Sequence, residues 1–341
     1  MRAAVFANPG ACQIVERELP MPAERQALIR VEACGVCGTD AHIYRGEFPA
    51  RFPLVAGHEF AGVVEEIGVD VPYLRPGDHV TIDPNIPCGA CRACRRGLTH
   101  LCRHLSAVGV TQDGGFATHC LVPAPQCHKV SDGVPFGVAA MAEPVACCVH
   151  GIDRADLHAG EIVVLIGAGT IGLILLQLAL LQGAATTIVS EPSPEKRREA
   201  ERLGAFRTVD PTSEELQESV TQVTQGWGAD VVIECVGSQQ TAQQALELAS
   251  DGGRVLLFGV APETARIALS PFAVYRKEIC VTGSFTNPFT HGRALALISS
   301  GRLQVDQLIS HRLALDEVVR GIELLESGRA TKVILEPQRA G

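Results

Sequence analysis

The sequence predicts a two-domain α/β protein, a β-rich first lobe joined to a doubly wound parallel sheet. Three observations predict it. The 341 residues suit about two domains. From Gly160 onward, apolar strand-like runs alternate with helical stretches, the pattern of a parallel sheet covered on both faces. The first of those strands runs into a glycine-spaced loop that opens an apolar helix.

The elements follow in chain order. Residues 27–31 and 61–67 are strand-like, and Arg75-Pro76-Gly77-Asp78 is a turn signal. Strands are predicted at 162–166, 186–190, 230–235 and 253–258, and helices at 171–183, 194–203, 213–224 and 239–249. Beyond Pro288, residues 290–300 and 316–327 are expected to be helical, with a strand at 331–335. Aromatic residues are only 4% of the chain, so the core must be built mainly from Val, Leu, Ile and Ala.

Charge and leader signals narrow the function. A net charge of −9 argues against nucleic-acid and anionic-membrane partners, which reward clustered Lys and Arg. The first residues lack a sustained apolar run, so no signal peptide is expected and a cytoplasmic location follows. Residues 162–181 are apolar enough to imitate a membrane span, but Gly167, Gly169 and Gly172 break them into strand, turn and helix.

That loop, Gly167-Ala168-Gly169-Thr170-Ile171-Gly172, is the first functional motif. Gly167 permits a tight turn, Gly169 lets backbone approach a pyrophosphate, and Gly172 lets helix and strand pack closely. The N–H groups at the helix start, from Thr170 and Ile171, would face the phosphates. Glu191 lies about 20 residues further on, at a strand end, where a carboxylate binds ribose hydroxyls and repels a 2′-phosphate. That favours NAD. Lys196 and Arg197 follow closely, so NADP is the lesser alternative.

Cys88-x-x-Cys91-x-x-Cys94-x7-Cys102 is the most specific motif. Four thiolates close a tetrahedral shell around zinc and leave no position for substrate, which makes the site structural. Thirteen cysteines without a secretory leader fit metal binding better than disulfides. A softer signal comes from Cys37-Gly38-Thr39-Asp40-Ala41-His42 and Gly57-His58-Glu59.

With these motifs in this order, followed by Glu143-Pro144 and the glycine loop, the chain resembles the zinc-containing medium-chain alcohol dehydrogenases. More narrowly it resembles their sorbitol, threonine and butanediol dehydrogenase branch. The resemblance covers nearly the whole chain. It implies a GroES-like catalytic domain from residues 1–152 and 288–341, and a Rossmann domain from 153–287, with the active site in the cleft between them. It implies two zinc ions per chain. The catalytic ion maps to Cys37, His58 and Glu143, with Glu59 a fourth candidate. Cys147 and Cys148, about one helical turn beyond Glu143, are rival donors. Thr39 and His42 match the family's proton-relay positions. Cys235 and Val236, Gly259 and Val260, and Ser284, Phe285 and Thr286 match the nicotinamide-side turns. A homodimer or homotetramer is implied, with an edge strand near 279–286 pairing across a two-fold axis.

The implied reaction oxidises a secondary alcohol of a polyol, sugar alcohol or vicinal diol, with zinc stabilising the alkoxide and NAD taking the hydride. L-Threonine and a phosphorylated polyol are the alternative substrates. A relative that binds NAD and zinc without catalysis is the rival of another class. The presence of Cys37, Thr39, His42, His58, Glu59 and Glu143 together speaks against it.

Overall fold

A computed structural model describes residues 1–48 and 50–339. The chain divides into two compact units, Met1–Ala146 with Pro288–Gly341, and Cys147–Asn287. That boundary and the one expected at 152 both fall inside the helix Ala142–Ala155.

In the first unit the main sheet has seven strands. Its order is Cys127–Lys129, His79–Ile82, Glu59–Ile67, Gln26–Val36, Lys332–Glu336 and Ile309–Ala314, with His119–Pro123 also paired to Gln26–Val36. Neighbours are antiparallel except the last two, which are parallel and joined through the helix Val318–Glu326. The C-terminal strand therefore enters the middle of a sheet begun by the N-terminal half, in the register Val333↔Val36. Two registers decide the later chemistry. Gly35 pairs with Glu59, and Val36 pairs with Val333, so the end of one strand meets the starts of two others. A one-residue slip would turn each of these side chains to the opposite face. Of the scarce aromatics, Phe6, Phe60 and Phe116 are fully buried in this core among aliphatic side chains.

The second unit carries a six-stranded parallel sheet. The order is Arg207–Val209, Thr186–Ser190, Ile162–Ile166, Ala229–Glu234, Ala249–Leu257 and Cys280–Gly283. Chain direction through the sheet reverses between Ile162–Ile166 and Ala229–Glu234, which opens a crevice at their carboxyl ends. The helix Thr170–Gln182 is apolar on all sides and is buried from Gly172 to Ala179. Among the described residues no helix is long and apolar enough to cross a membrane.

Five helices went unassigned in the sequence: Gly38–Arg45, Arg92–Arg95, Phe136–Ala139, Ala142–Ala155 and Pro271–Lys277. Gly38–Arg45 has eight residues, too few for a clear period, and is held by its ends. Pro271–Lys277 buries no residue, so it has no apolar stripe to read.

Candidate active site

Cys37 follows the strand Gln26–Val36 and is the N-cap of the helix Gly38–Arg45. His58 and Glu59 sit at the start of the antiparallel partner strand. The Gly35↔Glu59 register brings these ends together. One donor atom from each of Cys37, His58 and Glu59 lies within 4.8 Å of the others. His58 and Glu59 are buried. Gly57 makes the approach possible: its φ is +91°, and a Cβ there would lie 2.9 Å from Cys34 Sγ and overlap the Phe116 ring.

Asp40 organises this corner and was missing from the sequence-based site. It is fully buried and accepts from the Cys37 N–H at 2.8 Å and the Gly57 N–H at 3.3 Å. Its Oδ1 also faces His58 Nδ1 at 3.5 Å, too long for a hydrogen bond, so that buried nitrogen has no hydrogen-bond partner. Burial opposes a charge on His58, but Asp40 and Cys37 outweigh it and hold the ring's pKa well above the usual value. The same anionic surroundings suit a dication. A thiolate, an imidazole and a carboxylate converging in a buried corner are the donor types that zinc takes.

Glu59 has a second tie. Its carboxylate is paired with the ammonium of Lys332, also buried, which donates to the Val36 carbonyl at 3.1 Å. Burial disfavours the lysine's charge, and Glu59 more than restores it, so the Lys332 pKa is raised. Gly35 leaves the space: any Cβ would overlap Glu59 Oε2 and lie 2.9 Å from Lys332 Cε.

Glu143 is buried in the first turn of the helix Ala142–Ala155 and lies outside that three-residue donor set among the described residues. Cys147 and Cys148 lie further along the same helix. Thr39 and His42 fall on the short helix rather than in a loop. His42 Nδ1 is 2.8 Å from Glu47 Oε2, and Arg45 reaches both groups.

Cys88, Cys91, Cys94 and Cys102 also place one sulfur each within 4.8 Å of the rest. Cys91 Sγ is 3.5 Å from Cys94 Sγ and 3.9 Å from Cys102 Sγ. Sulfurs at about 2.3 Å from one tetrahedral zinc lie about 3.8 Å apart. Backbone N–H groups of Cys94 and Arg103 lower the Cys91 thiol to about 6, whereas burial and the neighbouring thiols push Cys94 up to about 12. A bound dication relieves that crowding and favours four thiolates.

In the second unit the glycine loop joins Ile162–Ile166 to Thr170–Gln182, with Gly169 as the N-cap. Thr170 and Ile171 open that helix. Gly167 has φ +103°, and a Cβ on Gly172 would overlap its carbonyl oxygen. Glu191 is buried beside the loop. It accepts from the Ala168 N–H at 2.8 Å and the Ser193 N–H at 3.0 Å. Cys235, Val236 and Gly237 follow the adjacent strand, with the Cys235 N–H donating to Ile166 at 2.9 Å. Gly259 and Val260 follow the next strand. Ser284, Phe285 and Thr286 follow the edge strand, and the hydroxyls of Ser284 and Thr286 are shielded without a hydrogen-bond partner. Orphaned hydroxyls after the edge strand of a sheet that carries a glycine loop suit a polar cofactor.

A family model described as Alcohol dehydrogenase GroES-like domain matches residues 23–132, and one described as Zinc-binding dehydrogenase matches residues 170–299. A D-altritol 5-dehydrogenase from Agrobacterium fabrum is 35% identical over 94% of each chain. The chain belongs to the zinc-binding medium-chain alcohol dehydrogenases. A sorbitol dehydrogenase from Halalkalibacterium halodurans is 33% identical over 96% of each chain. An L-threonine 3-dehydrogenase from Anaeromyxobacter dehalogenans is also 33% identical, over 98% of this chain and 99% of that one. Among solved structures, a Sinorhizobium meliloti protein described as a zinc-binding dehydrogenase bound to NADP superposes with a TM-score of 0.96. It is 41% identical and is matched over 98% of this chain and 99% of that chain.

For this dehydrogenase, Lys332→Met would leave the Glu59 carboxylate buried without its cation. The expected cost is about 3–5 kcal/mol of unfolding free energy, read by chemical denaturation. A loss below about 1 kcal/mol would show that Glu59 is satisfied without Lys332.

Proposed function

We propose that this dehydrogenase oxidises a secondary alcohol of a polyol, a sugar alcohol or a vicinal diol, with NAD as hydride acceptor and two zinc ions per chain. The meeting of Cys37, His58 and Glu59 in a buried corner carries the reading. Cys37, His58 and Glu143 are its catalytic metal ligands, with Glu59 the further carboxylate, and Cys88, Cys91, Cys94 and Cys102 form the structural set. Zinc bound there lowers the pKa of a substrate hydroxyl, and the nicotinamide takes the hydride.

The chain's own residues do the remaining work. Thr39 relays the hydroxyl proton, accepting it as it gives up its own toward the cofactor ribose, and His42 releases the relayed proton to solvent, its ring oriented by Glu47. Asp40 fixes the backbone of Cys37 and Gly57 and sets its negative charge opposite His58. Gly167, Gly169, Thr170, Ile171 and Gly172 receive the pyrophosphate, and the turns at 235–236, 259–260 and 284–286 face the nicotinamide.

Glu191 and Arg197 support NAD. The Glu191 carboxylate is fixed against the glycine loop, where it would repel a 2′-phosphate. Arg197, one of the two nearby cations that could bind such a phosphate, is already engaged. It donates to the carbonyls of Glu191 at 2.7 Å and Pro192 at 2.8 Å, and pairs with Asp210 at 3.0 Å. The polyol class is supported by the relatives named for altritol and sorbitol. A reducing, cytoplasmic setting is supported by thirteen free cysteines. A homo-oligomer is supported by the exposed edge strand Cys280–Gly283.

The test is reduced-nicotinamide absorbance with sorbitol, galactitol, galactitol 1-phosphate, 2,3-butanediol and L-threonine, each with NAD and NADP, before and after chelation. The expected result is chelator-sensitive turnover of a polyol or diol, with kcat/KM for NAD at least about tenfold above NADP. Turnover of L-threonine alone would move the substrate assignment. Preference for NADP would overturn the cofactor assignment. Silence across the panel, with zinc and NAD bound, would favour a non-catalytic relative.

A further inference from the structure

Glu234 ends the strand Ala229–Glu234, beside the point where the parallel sheet reverses. Its side chain is 1% exposed. A carboxylate in that setting is costly unless donors surround it. Its Oε1 accepts from the N–H groups of Val236 at 2.7 Å and Gly237 at 2.8 Å, and from the Thr241 hydroxyl at 2.8 Å. Among the described residues no cation is paired with it. Its backbone carbonyl accepts from the N–H groups of Phe258 and Gly259, both at 2.9 Å. One residue thus holds the turns that leave two neighbouring strands.

The turns are also pressed together. A Cβ on Gly237 would lie 2.6 Å from the Val260 carbonyl oxygen, and one on Gly259 would lie 2.8 Å from Glu234 Oε2. The usual local duty of such a carboxylate, capping the next helix, is already performed by Ser238, which accepts from the Thr241 N–H at 3.1 Å. What remains for the Glu234 carboxylate is the placement of the turn 235–237, which packs against residues 259–260.

We propose that Glu234 is a positioning residue that sets the nicotinamide-binding wall of this dehydrogenase without touching the cofactor. The inference rests on reading the second unit as the nicotinamide dinucleotide site. Charge-assisted bonds from three donors hold the wall in one geometry before the cofactor arrives, which spares the ordering cost on binding. The adenosine half sits on other elements, the glycine loop and Glu191, so it should not feel the change.

The test compares NADH with ADP-ribose, which lacks the nicotinamide ring, in calorimetric titrations of the zinc-loaded full chain. In Glu234→Gln the Kd for NADH is expected to rise about tenfold, and in Thr241→Val about threefold. The Kd for ADP-ribose should stay within about twofold of wild type in both, with zinc content unchanged. A purely structural role would lower the melting temperature and weaken both ligands alike, or neither, and either pattern overturns the inference. Should Glu234→Gln fail to fold, Thr241→Val makes the same comparison with a near-isosteric change. Wild-type protein that binds neither ligand sinks the nucleotide reading and this inference together. Wild-type binding of both, with NADH affinity unmoved in the variants, sinks this inference alone.

Discussion

Cys37→Ala is expected to release one of two zinc ions per chain and to lower kcat by about three orders of magnitude or more. The reason is ligand type and count. Cys37 supplies the thiolate of the proposed set, and without it a dication would be left to His58 and the carboxylates of Glu143 and Glu59. The four-cysteine set stands on a separate loop, Cys88 to Cys102, and should keep its ion. Zinc stoichiometry therefore separates loss of one centre from unfolding of the whole unit. Asp40→Asn is the milder companion. It keeps an acceptor for the Cys37 N–H but removes the charge facing His58, and the expected cost is about 10–100-fold in metal affinity. A Cys37→Ala protein that retains both ions and its turnover would sink the proposed catalytic centre.

The second unit was more legible in the sequence than the first, and the reason is geometric. The strands expected at 162–166 and 186–190 end where the structure ends them. A strand buried on both faces is apolar throughout, and Gly or Pro punctuates it. The helix Pro194–Arg202 announces itself in the same way, with Ser193 as N-cap accepting from the Lys196 N–H and Pro194 at its first position. The first unit is built from antiparallel pairs joined across long separations. The Lys332–Glu59 pair spans 273 residues, a distance no local pattern carries. Lys332 stands in a strand recognised from its apolar neighbours, Val333 to Leu335, and a lysine at a strand's first position reads as solvated. Asp40 was visible as a letter within the Cys-Gly-Thr-Asp segment. Its role depends on a three-residue reach back to the Cys37 N–H and a contact with His58, eighteen positions on by number, and the helix that makes both possible is too short to show a period. Metal donors were easier, because thiols and imidazoles at ligand spacing carry chemistry wherever the backbone runs.

The glycine loop gives the other large effect, through a contrast between two alanines. Gly169 has φ −69°, an ordinary conformation, and a Cβ there meets nothing within 4 Å. Gly169→Ala should therefore fold with an unchanged melting temperature. Its methyl would stand where backbone must approach a pyrophosphate, so the Kd for NADH is expected to rise roughly a hundredfold, about 2.7 kcal/mol. Gly172 is the opposite case. Its Cβ would overlap the Gly167 carbonyl oxygen, which is backbone held at φ +103° and donates no room by rotating. Gly172→Ala must push the helix Thr170–Gln182 away from the strand Ile162–Ile166, at a cost of about 1–3 kcal/mol in the core. It should lower the melting temperature as well as cofactor affinity. Thermal unfolding and NADH titration of both variants separate the two roles. If Gly169→Ala bound NADH as wild type does, the pyrophosphate could not lie over that residue, and the loop would be a structural turn with no cofactor of its own.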